Sequence, residues 1–178
     1  LLERVLAIEG RVRVDDLRGS KQGGTMTGAA WVGWDGTYSF NADGRAIPVE
    51  SLAMMKYEQL PPFTGQLQFT ASGTGLFELP RYDVRFLIAD LFLGQGGIRQ
   101  GGGRLRIRGP DVNVDIEAAS PRLSASTSGR VTLNDDYDAE LNIQFADTSI
   151  DPYARLFVPQ LSPFTTAIAS GTMRVAGK

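Results

Sequence analysis

The sequence predicts an all-β chain with two short helices, arranged as a mainly antiparallel and elongated sheet. The first observation is strict alternation of apolar and polar residues, as in Y-D-A-E-L-N-I-Q-F from Tyr137 to Phe145. This period is typical of a strand with one dry and one wet face. The second is the set of 21 glycines, which separate the short apolar runs as turns do. The third is that the strands can pair so that every apolar set falls on one side.

A sheet with one apolar side can shield that side from water in two ways. It can fold on itself into a closed β-sandwich whose side chains fill the space between the two faces. It can instead curve into a trough and leave a lined groove. The residues alone are compatible with both.

Composition excludes several classes of function. The chain has 178 residues, of which 42% are hydrophobic and 21% charged, as in an ordinary folded domain. A net charge of -2 and the lack of a basic block with interleaved aromatics argue against a nucleic-acid interface. Without histidine or cysteine, the chain lacks the commonest general base and metal ligands, so we expect no catalysis, metal or cofactor.

A pair of carboxylates is the remaining option for catalysis. Such pairs occur at Asp15 and Asp16 and at Asp135 and Asp136. Both lie in predicted turns, where aspartate is favoured because it hydrogen-bonds to the backbone. We therefore expect a non-catalytic protein.

Targeting signals are not evident. No stretch approaches the roughly 18 consecutive apolar residues of a membrane span. The chain begins at Leu1, with neither an initiator methionine nor a signal peptide, so we expect a piece of a longer protein.

The N-terminal part is predicted to hold a strand over 5–14, a polar loop over 15–24 and a strand over 25–32. The W-D-G sequence at 34–36 predicts a tight turn after them. The pairs that follow from this turn are Val32–Tyr38 and Ala30–Phe40.

Two proline-started segments are predicted to be the helices. One runs from Pro48 to Tyr57 and ends before Pro61, and the other runs from Asp151 to Val158 and ends before Pro159. Each is only two or three turns long and would need packing to persist.

Further strands are predicted over 65–71, 82–88 and 171–176. The glycine-rich segment 94–103 suggests a phosphate-binding loop at first sight. It lacks the spacing of such loops, their Gly-Lys-Ser/Thr ending and a following helix, so we predict a loop between strands.

A hairpin is predicted from strands 104–108 and 112–117 around a turn at Pro110 and Asp111. The pairs of this register are Arg106–Asp115, Arg104–Glu117, Ile107–Val114 and Leu105–Ile116. The acids opposite the arginines argue against an anion site here. A second hairpin, through residues 134–136, predicts the pairs Val131–Ala139, Arg130–Glu140 and Leu133–Tyr137.

Two passages about one hundred residues apart resemble each other. A-D-G-R-A-I-P-V-E-S-L and A-D-T-S-I-D-P-Y-A-R-L each follow an alternating strand and precede a Pro-Phe sequence. We therefore predict one β-rich segment, 1–178, with two approximate repeats, about 1–75 and 76–178.

Three passages resemble repeats of the AsmA-like and TamB proteins of Gram-negative envelopes. They are P-P-F-T-G-Q-L-Q-F-T-A-S-G-T-G-L-F, R-L-R-I-R-G-P-D-V-N-V-D-I and A-S-G-T-M-R-V-A-G-K. The resemblance covers nearly the whole chain and rests on short degenerate motifs. It implies the fold called a β-taco, a long curved sheet with a hydrophobic inner face.

The resemblance also implies a function. Proteins of this family are anchored in the inner membrane, cross the periplasm and are implicated in moving phospholipid to the outer membrane. TamB also assists outer-membrane protein assembly with a barrel partner. The family's N-terminal anchor and barrel-like C-terminal strand are not found in this sequence, so we expect a middle segment, and partner contacts at its ends cannot be carried over.

The expected lipid-binding residues are the apolar sets of the predicted strands. They are Tyr38, Phe40, Leu67, Phe69, Val84, Phe86, Ile88, Leu105, Ile107, Val114, Ile116, Val131, Leu141, Ile143 and Phe145. Two other interpretations stay open at this point. The same residues could fill a closed core, or the sheet could be a scaffold whose open edges capture a client strand.

Overall fold

The chain forms an all-β structure, as the alternation predicts. The computed structural model describes residues 2–8, 10–52, 63–93, 96–134, 138–149 and 167–177. The strands are β1 (Leu2–Ile8), β2 (Arg11–Lys21), β3 (Gly24–Gly33), β4 (Thr37–Pro48), β5 (Phe63–Leu76), β6 (Arg81–Leu93), β7 (Gly96–Gly97), β8 (Gln100–Arg108), β9 (Asp111–Ser120), β10 (Leu123–Thr132), β11 (Ala139–Ser149) and β12 (Ile168–Gly177).

All twelve strands belong to one antiparallel sheet. Its order is β1-β2-β3-β4-β5-β6-β8-β9-β10-β11-β12, and the two-residue β7 pairs with β6 beside this path. Each strand therefore lies beside its neighbours in sequence, the arrangement that short connections favour. Strands β1 and β12 are the two edges, and the sheet is not closed. The closed β-sandwich is thus not the architecture observed.

Two of the predicted hairpin registers are confirmed. In β3 and β4, Val32 pairs with Tyr38 and Ala30 with Phe40. In β10 and β11, Val131 pairs with Ala139 and Arg130 with Glu140. The predicted partner of Leu133, Tyr137, lies outside the described residues.

The predicted N-terminal strand and loop are wrong in their limits. The chain turns at Gly10, whose φ of 83° favours glycine, so residues 5–14 belong to two strands. The predicted loop 15–24 is mostly strand, because β2 continues to Lys21 through a bulge at Asp16. The actual turn lies at Gln22 and Gly23.

The glycine-rich loop is also corrected. Residues 101–103 are part of β8, where they pair with β6 on one side and β9 on the other. Gly103 is required there because a Cβ would lie 2.9 Å from Cα of Ile116 and still closer to the Asp115 carbonyl oxygen. The strands approach too closely for a side chain.

The β8–β9 register differs from the predicted one by two residues. Gly109 has a φ of 59°, so the loop centres on Gly109 and Pro110, in keeping with hairpin turns that place glycine first. The observed pairs are Arg104–Asp115, Leu105–Val114, Arg106–Asn113 and Ile107–Val112. A shift of two keeps every side chain on its predicted face.

The predicted helices are not confirmed. Only a 3-10 turn, Val49–Ser51, follows Pro48, and Leu52 returns to extended backbone with φ and ψ of -77° and 120°. The Ser51 hydroxyl donates to the Pro48 carbonyl at 2.7 Å. The remainder of the first predicted helix and all of the second, 151–158, lie outside the described residues.

Four bulges shape the sheet. Each contains a residue with positive φ: Asp16 in β2, Ala46 in β4, Asp90 in β6 and Asp147 in β11. A bulge bends its strand and increases the local twist. The sheet therefore carries the elements by which long sheets acquire curvature.

Candidate functional site

The register brings the fifteen predicted site residues onto one face of the sheet. Residues directly opposite each other across neighbouring strands share a face, and the pairs link all fifteen from β4 to β11. We call this side the apolar face. It contains Tyr38, Phe40, Leu67, Phe69, Val84, Phe86, Ile88, Leu105, Ile107, Val114, Ile116, Val131, Leu141, Ile143 and Phe145.

One transverse row illustrates the chemistry of this face. From β4 to β12 it reads Gly44, Phe69, Phe86, Gly103, Ile116, Thr127, Ile143 and Met173. Its only polar member is a threonine, and the parallel rows contain no charged side chain. The seven neighbouring strands β4–β6 and β8–β11, roughly 4.8 Å apart, give the face a length of about 29 Å.

Aromatic rings on the apolar face lie over glycines of the neighbouring strand. A Cβ on Gly73 would collide with the rings of Phe40 and Tyr82, and a Cβ on Gly44 would collide with Phe69. A ring that packs over a glycine covers the backbone there and replaces the cross-strand apolar contact that glycine cannot make. These glycines therefore make room for the rings.

The densest part of the face is an aromatic cluster on β4, β6 and the turn between β5 and β6. Tyr38 stacks against Phe40 with ring centroids 6.4 Å apart and against Phe77 at 5.2 Å, while Tyr82 lies 5.6 Å from Phe40. The Tyr38 hydroxyl accepts a hydrogen bond from the Arg81 backbone N–H at 3.0 Å. Its interaction with the Tyr82 hydroxyl, together with burial, raises the pKa of Tyr82.

Sequence reasoning missed two members of this cluster as site residues. Phe77 lies in the L-F-E-L-P turn, and Tyr82 begins the alternating part of β6. Turns are expected to be polar, so an aromatic residue inside a turn was the signal that could have identified Phe77.

The side chains of the apolar face are less buried than those of a filled core. Tyr38 is 4% exposed, and the other fourteen residues are half-buried. Among the residues whose burial the structure describes, which excludes β1, Tyr38 and Val49 are the only buried hydrophobic ones. A sandwich core would bury a whole layer of such side chains. The described strands do not supply a second layer.

The opposite side, the polar face, carries the charges. Arg104 does not pair with Glu117 as predicted; it holds Asp83 through two bonds, Nε to Oδ1 at 3.0 Å and a guanidinium N–H to Oδ2. This ion pair lowers the pKa of Asp83 and raises that of Arg104. Arg174 likewise pairs with Glu140.

Two depressions also belong to the polar face. One of about 600 Å³ is lined by Glu117, Gln144 and Thr172, among others. Another of about 610 Å³ lies beside Arg45 and Arg85. Phe145 also lines the first depression, and Phe69 and Phe86 also line the second. Most of the lining residues belong to the polar face, so neither depression is a groove along the apolar face.

The chemistry available on the apolar face consists of apolar contact and a few hydroxyl groups, among them those of Tyr38, Tyr82 and Thr127. In the part of the chain that the structure describes, no three metal-binding side chains come together, and no described helix is long and apolar enough to cross a membrane.

Comparison with known proteins gave no relative. No protein-family model, curated protein or solved structure matched the chain.

Proposed function

We propose that this chain is a non-catalytic segment that shields phospholipid acyl chains on the apolar face during transport between membranes. The observation that carries the proposal is an uncharged apolar face across seven strands, without a second described layer to cover it. Large exposed apolar surfaces mark sites of interaction on soluble proteins.

The dimensions suit an acyl chain. The face is about 29 Å long by strand spacing. One acyl chain spans about 15 Å, half of the hydrocarbon core of a bilayer, so it fits within the length of the face. Each methylene removed from water contributes about 0.8 kcal/mol. Because successive rows offer similar contacts, a bound chain can move along the face without losing much of this free energy.

A curved sheet would improve the shielding. The four bulges supply bends, and curvature toward the apolar face would form the hydrophobic trough that the family resemblance implies. The charged polar face would then keep the outside of the trough hydrated.

The biological setting follows from the family resemblance. We propose that the chain belongs to the AsmA-like and TamB proteins and acts in the periplasm, as part of a protein anchored in the inner membrane outside this segment. Its partner is phospholipid, and an outer-membrane barrel protein would contact other parts of the full-length chain. The role is inner-to-outer membrane transport and outer-membrane biogenesis.

Lipid extraction and site-specific photo-crosslinking test the proposal. The protein is purified from Gram-negative cells with a photoreactive residue in place of Phe86, Ile143 or Asn142, and its lipids are identified by mass spectrometry. Phe86 and Ile143 belong to one row of the apolar face, and Asn142 is the neighbour of Ile143 on the polar face. We expect lipid adducts at the first two positions only. Protein without lipid, or equal adducts at Asn142, would refute the proposal.

A second candidate function is supported by the edge strand β12. It pairs with β11 along one side, and residues 170–177 are exposed. An unpaired strand edge can capture a client strand, as a scaffold for outer-membrane protein assembly would. Backbone capture would protect the β12 amides from hydrogen exchange when a client peptide is added, whereas lipid binding would protect no amide there.

A further inference from the structure

Exposed hydrophobic side chains collect along one of the two long rims of the sheet. This rim, which we call the turn rim, contains the turns that follow β1, β3, β5, β8 and β10. Each turn after the first donates a backbone hydrogen bond to the turn before it: Trp34 N–H to Gly10 O at 3.0 Å, Phe77 N–H to Gly36 O at 3.1 Å, Gly109 N–H to Pro80 O at 2.8 Å and Leu133 N–H to Pro110 O at 2.8 Å. The turns thus form one continuous rim.

Four side chains project from the turn rim. Trp34, Phe77, Leu79 and Leu133 leave between 51% and 72% of their surface exposed. With Val32 and Leu76, the rim holds six of the ten large hydrophobic residues that are exposed in the described chain. Among the described residues of the opposite rim, Phe92 and Ile168 are the exposed large hydrophobic ones, and Gln22, Glu50 and Arg122 lie in its turns.

The turn rim is continuous with the apolar face. The Phe77 ring stacks on Tyr38 at 5.2 Å with an interplanar angle of 18°, and Leu79 extends toward Gly109 in the next turn. An acyl chain that moved from the turn rim onto the apolar face would therefore contact the aromatic cluster first.

We propose that the turn rim docks on the surface of a lipid bilayer by inserting Trp34, Phe77, Leu79 and Leu133 between its headgroups. The turns are two strands, about 10 Å, apart, so their side chains enter separately. A protein partner is typically bound through a clustered, centrally packed set. A fluid apolar phase accepts separated side chains, and tryptophan is enriched at the membrane interface.

The charged residues on the turn rim indicate how deeply it would insert and which kind of lipid surface it would bind. Asp35 and Glu78 occupy the same turns as Trp34 and Phe77, and the Asp35 carboxylate accepts two bonds from Thr37, at 2.5 and 3.1 Å. Charged carboxylates do not enter hydrocarbon cheaply, so they limit insertion to the interfacial zone. Arg81 and Arg108 are exposed beside the next two positions of this rim, at the turns of Leu79 and Gly109. The rim therefore carries both signs of charge, and a zwitterionic surface fits best.

Membrane docking is inferred from the turn rim alone. Only its biological purpose, the delivery of acyl chains to the apolar face, rests on the proposed function. The two can therefore fail separately.

Tryptophan fluorescence provides the first test, because the chain has two tryptophans. Trp31 lies under the Arg11 guanidinium, 5.7 Å from it, in a strand rather than a turn. The Trp31→Phe variant leaves Trp34 as the only tryptophan. We expect its emission to shift to the blue with phosphatidylcholine vesicles and to be quenched by lipids brominated on their acyl chains. The Trp34→Phe variant, which retains Trp31, should show neither effect. An unchanged emission of Trp34 would overturn docking.

Vesicle flotation provides the second test. The double variant Leu79→Gln/Leu133→Gln removes two exposed side chains, so circular dichroism should be unchanged while vesicle partitioning falls roughly tenfold or more. Phe92→Gln, an equally apolar change outside the rim, should float like the unchanged protein. Equal flotation of all three overturns the proposal, as does a blue shift that depends on protein concentration and not on vesicles, since a second copy would then cover the rim.

A face variant separates the two proposals. Phe86→Gln/Ile143→Gln should lose co-purified lipid yet still float, because neither residue belongs to the turn rim. Loss of flotation in this variant, with its fold intact, would place membrane binding on the apolar face instead.

Discussion

The apolar face has a half rich in aromatic residues, β4–β6, which we call the aromatic half, and a half that is aliphatic except for Phe145, β8–β11, which we call the aliphatic half. Glycine has a different role in each. In the aromatic half, Gly44 and Gly73 lie under rings of the adjacent strand, so a Cβ would meet side-chain atoms. In the aliphatic half, Gly103 and Gly129 face backbone atoms of the adjacent strand. Rings can rotate away, whereas a paired strand cannot move without losing its ladder. The same residue type thus provides space for side chains in one half and close strand approach in the other.

The largest expected effect comes from a methyl group added in the aliphatic half. Gly103→Ala would force β8 away from the Asp115 carbonyl and Cα of Ile116, and we expect a loss of about 3 kcal/mol in the free energy of unfolding. Chemical denaturation measures it. Gly177→Ala is the matched control, because nothing lies within 4 Å of its Cβ position; an equal loss in both variants would contradict the backbone clash.

Removing a side chain should matter more in the aromatic half. Phe40→Ala deletes a ring in contact with Tyr38 and Tyr82 and should cost about 2 kcal/mol, whereas Ile143→Ala should cost about 1 kcal/mol, since both side chains are only half-buried. Thermal unfolding of the two variants gives the comparison. A larger loss for Ile143→Ala would show that the stability of the face resides in its aliphatic half.

A smaller loss is expected at Gly44. Its added methyl would meet the Phe69 ring and, at 2.9 Å, Cδ1 of Ile47, both side-chain atoms that can shift, so Gly44→Ala should cost about 1 kcal/mol. Combining it with Phe69→Leu should recover part of that loss, and a double-mutant cycle measures the coupling. Strict additivity would exclude the ring as the cause.

The smallest effect concerns the ion pair on the polar face. The Arg104 hydrogen bonds lower the pKa of Asp83 below its ordinary value. The pair therefore contributes its stability above the carboxyl's unfolded pKa of about 3.9, and the contribution is lost as pH falls through the lower folded value. Solvent screens the pair, since 27% of the Asp83 side chain and 35% of that of Arg104 are exposed. Asp83→Asn should lower the denaturation midpoint slightly at pH 7 and by less at pH 2. An equal difference at both pH values would exclude titration of Asp83 as the source.

The membership of the apolar face could be predicted from the sequence, and the limits of its strands could not. Alternation with a period of two fixes the face, and the two-residue register difference that gave Arg106 the partner Asn113 rather than Asp115 left every side chain on its predicted side. Strand limits depend on backbone conformation at single residues. Gly109 in the positive-φ region moved one turn, and the bulge at Asp16 let β2 continue where polar residues suggested a loop.

Other features depended on contacts between strands. The glycines of β8 resembled those of a loop. The feature that requires glycine at position 103 is the close approach of β9, which the local sequence does not reveal. The first predicted helix rested on Pro48, whose φ of -61° suits a helix start equally well as the end of β4. The turn rim was missed for a similar reason, since its side chains are separated in sequence and only the ladder of turns aligns them.

The order of the strands has a consequence for how the chain reaches its structure. Each strand pairs only with strands next to it in sequence, apart from the short β7. The contact order is therefore low for a β-protein, and only the connections after β4 and β11 require the closure of longer loops. Stability is then close to a sum of nearest-neighbour terms, as in solenoids. Such a chain can zip up hairpin by hairpin as it emerges from a ribosome or a translocation pore, and hairpins can be added or lost in evolution without rearranging the rest.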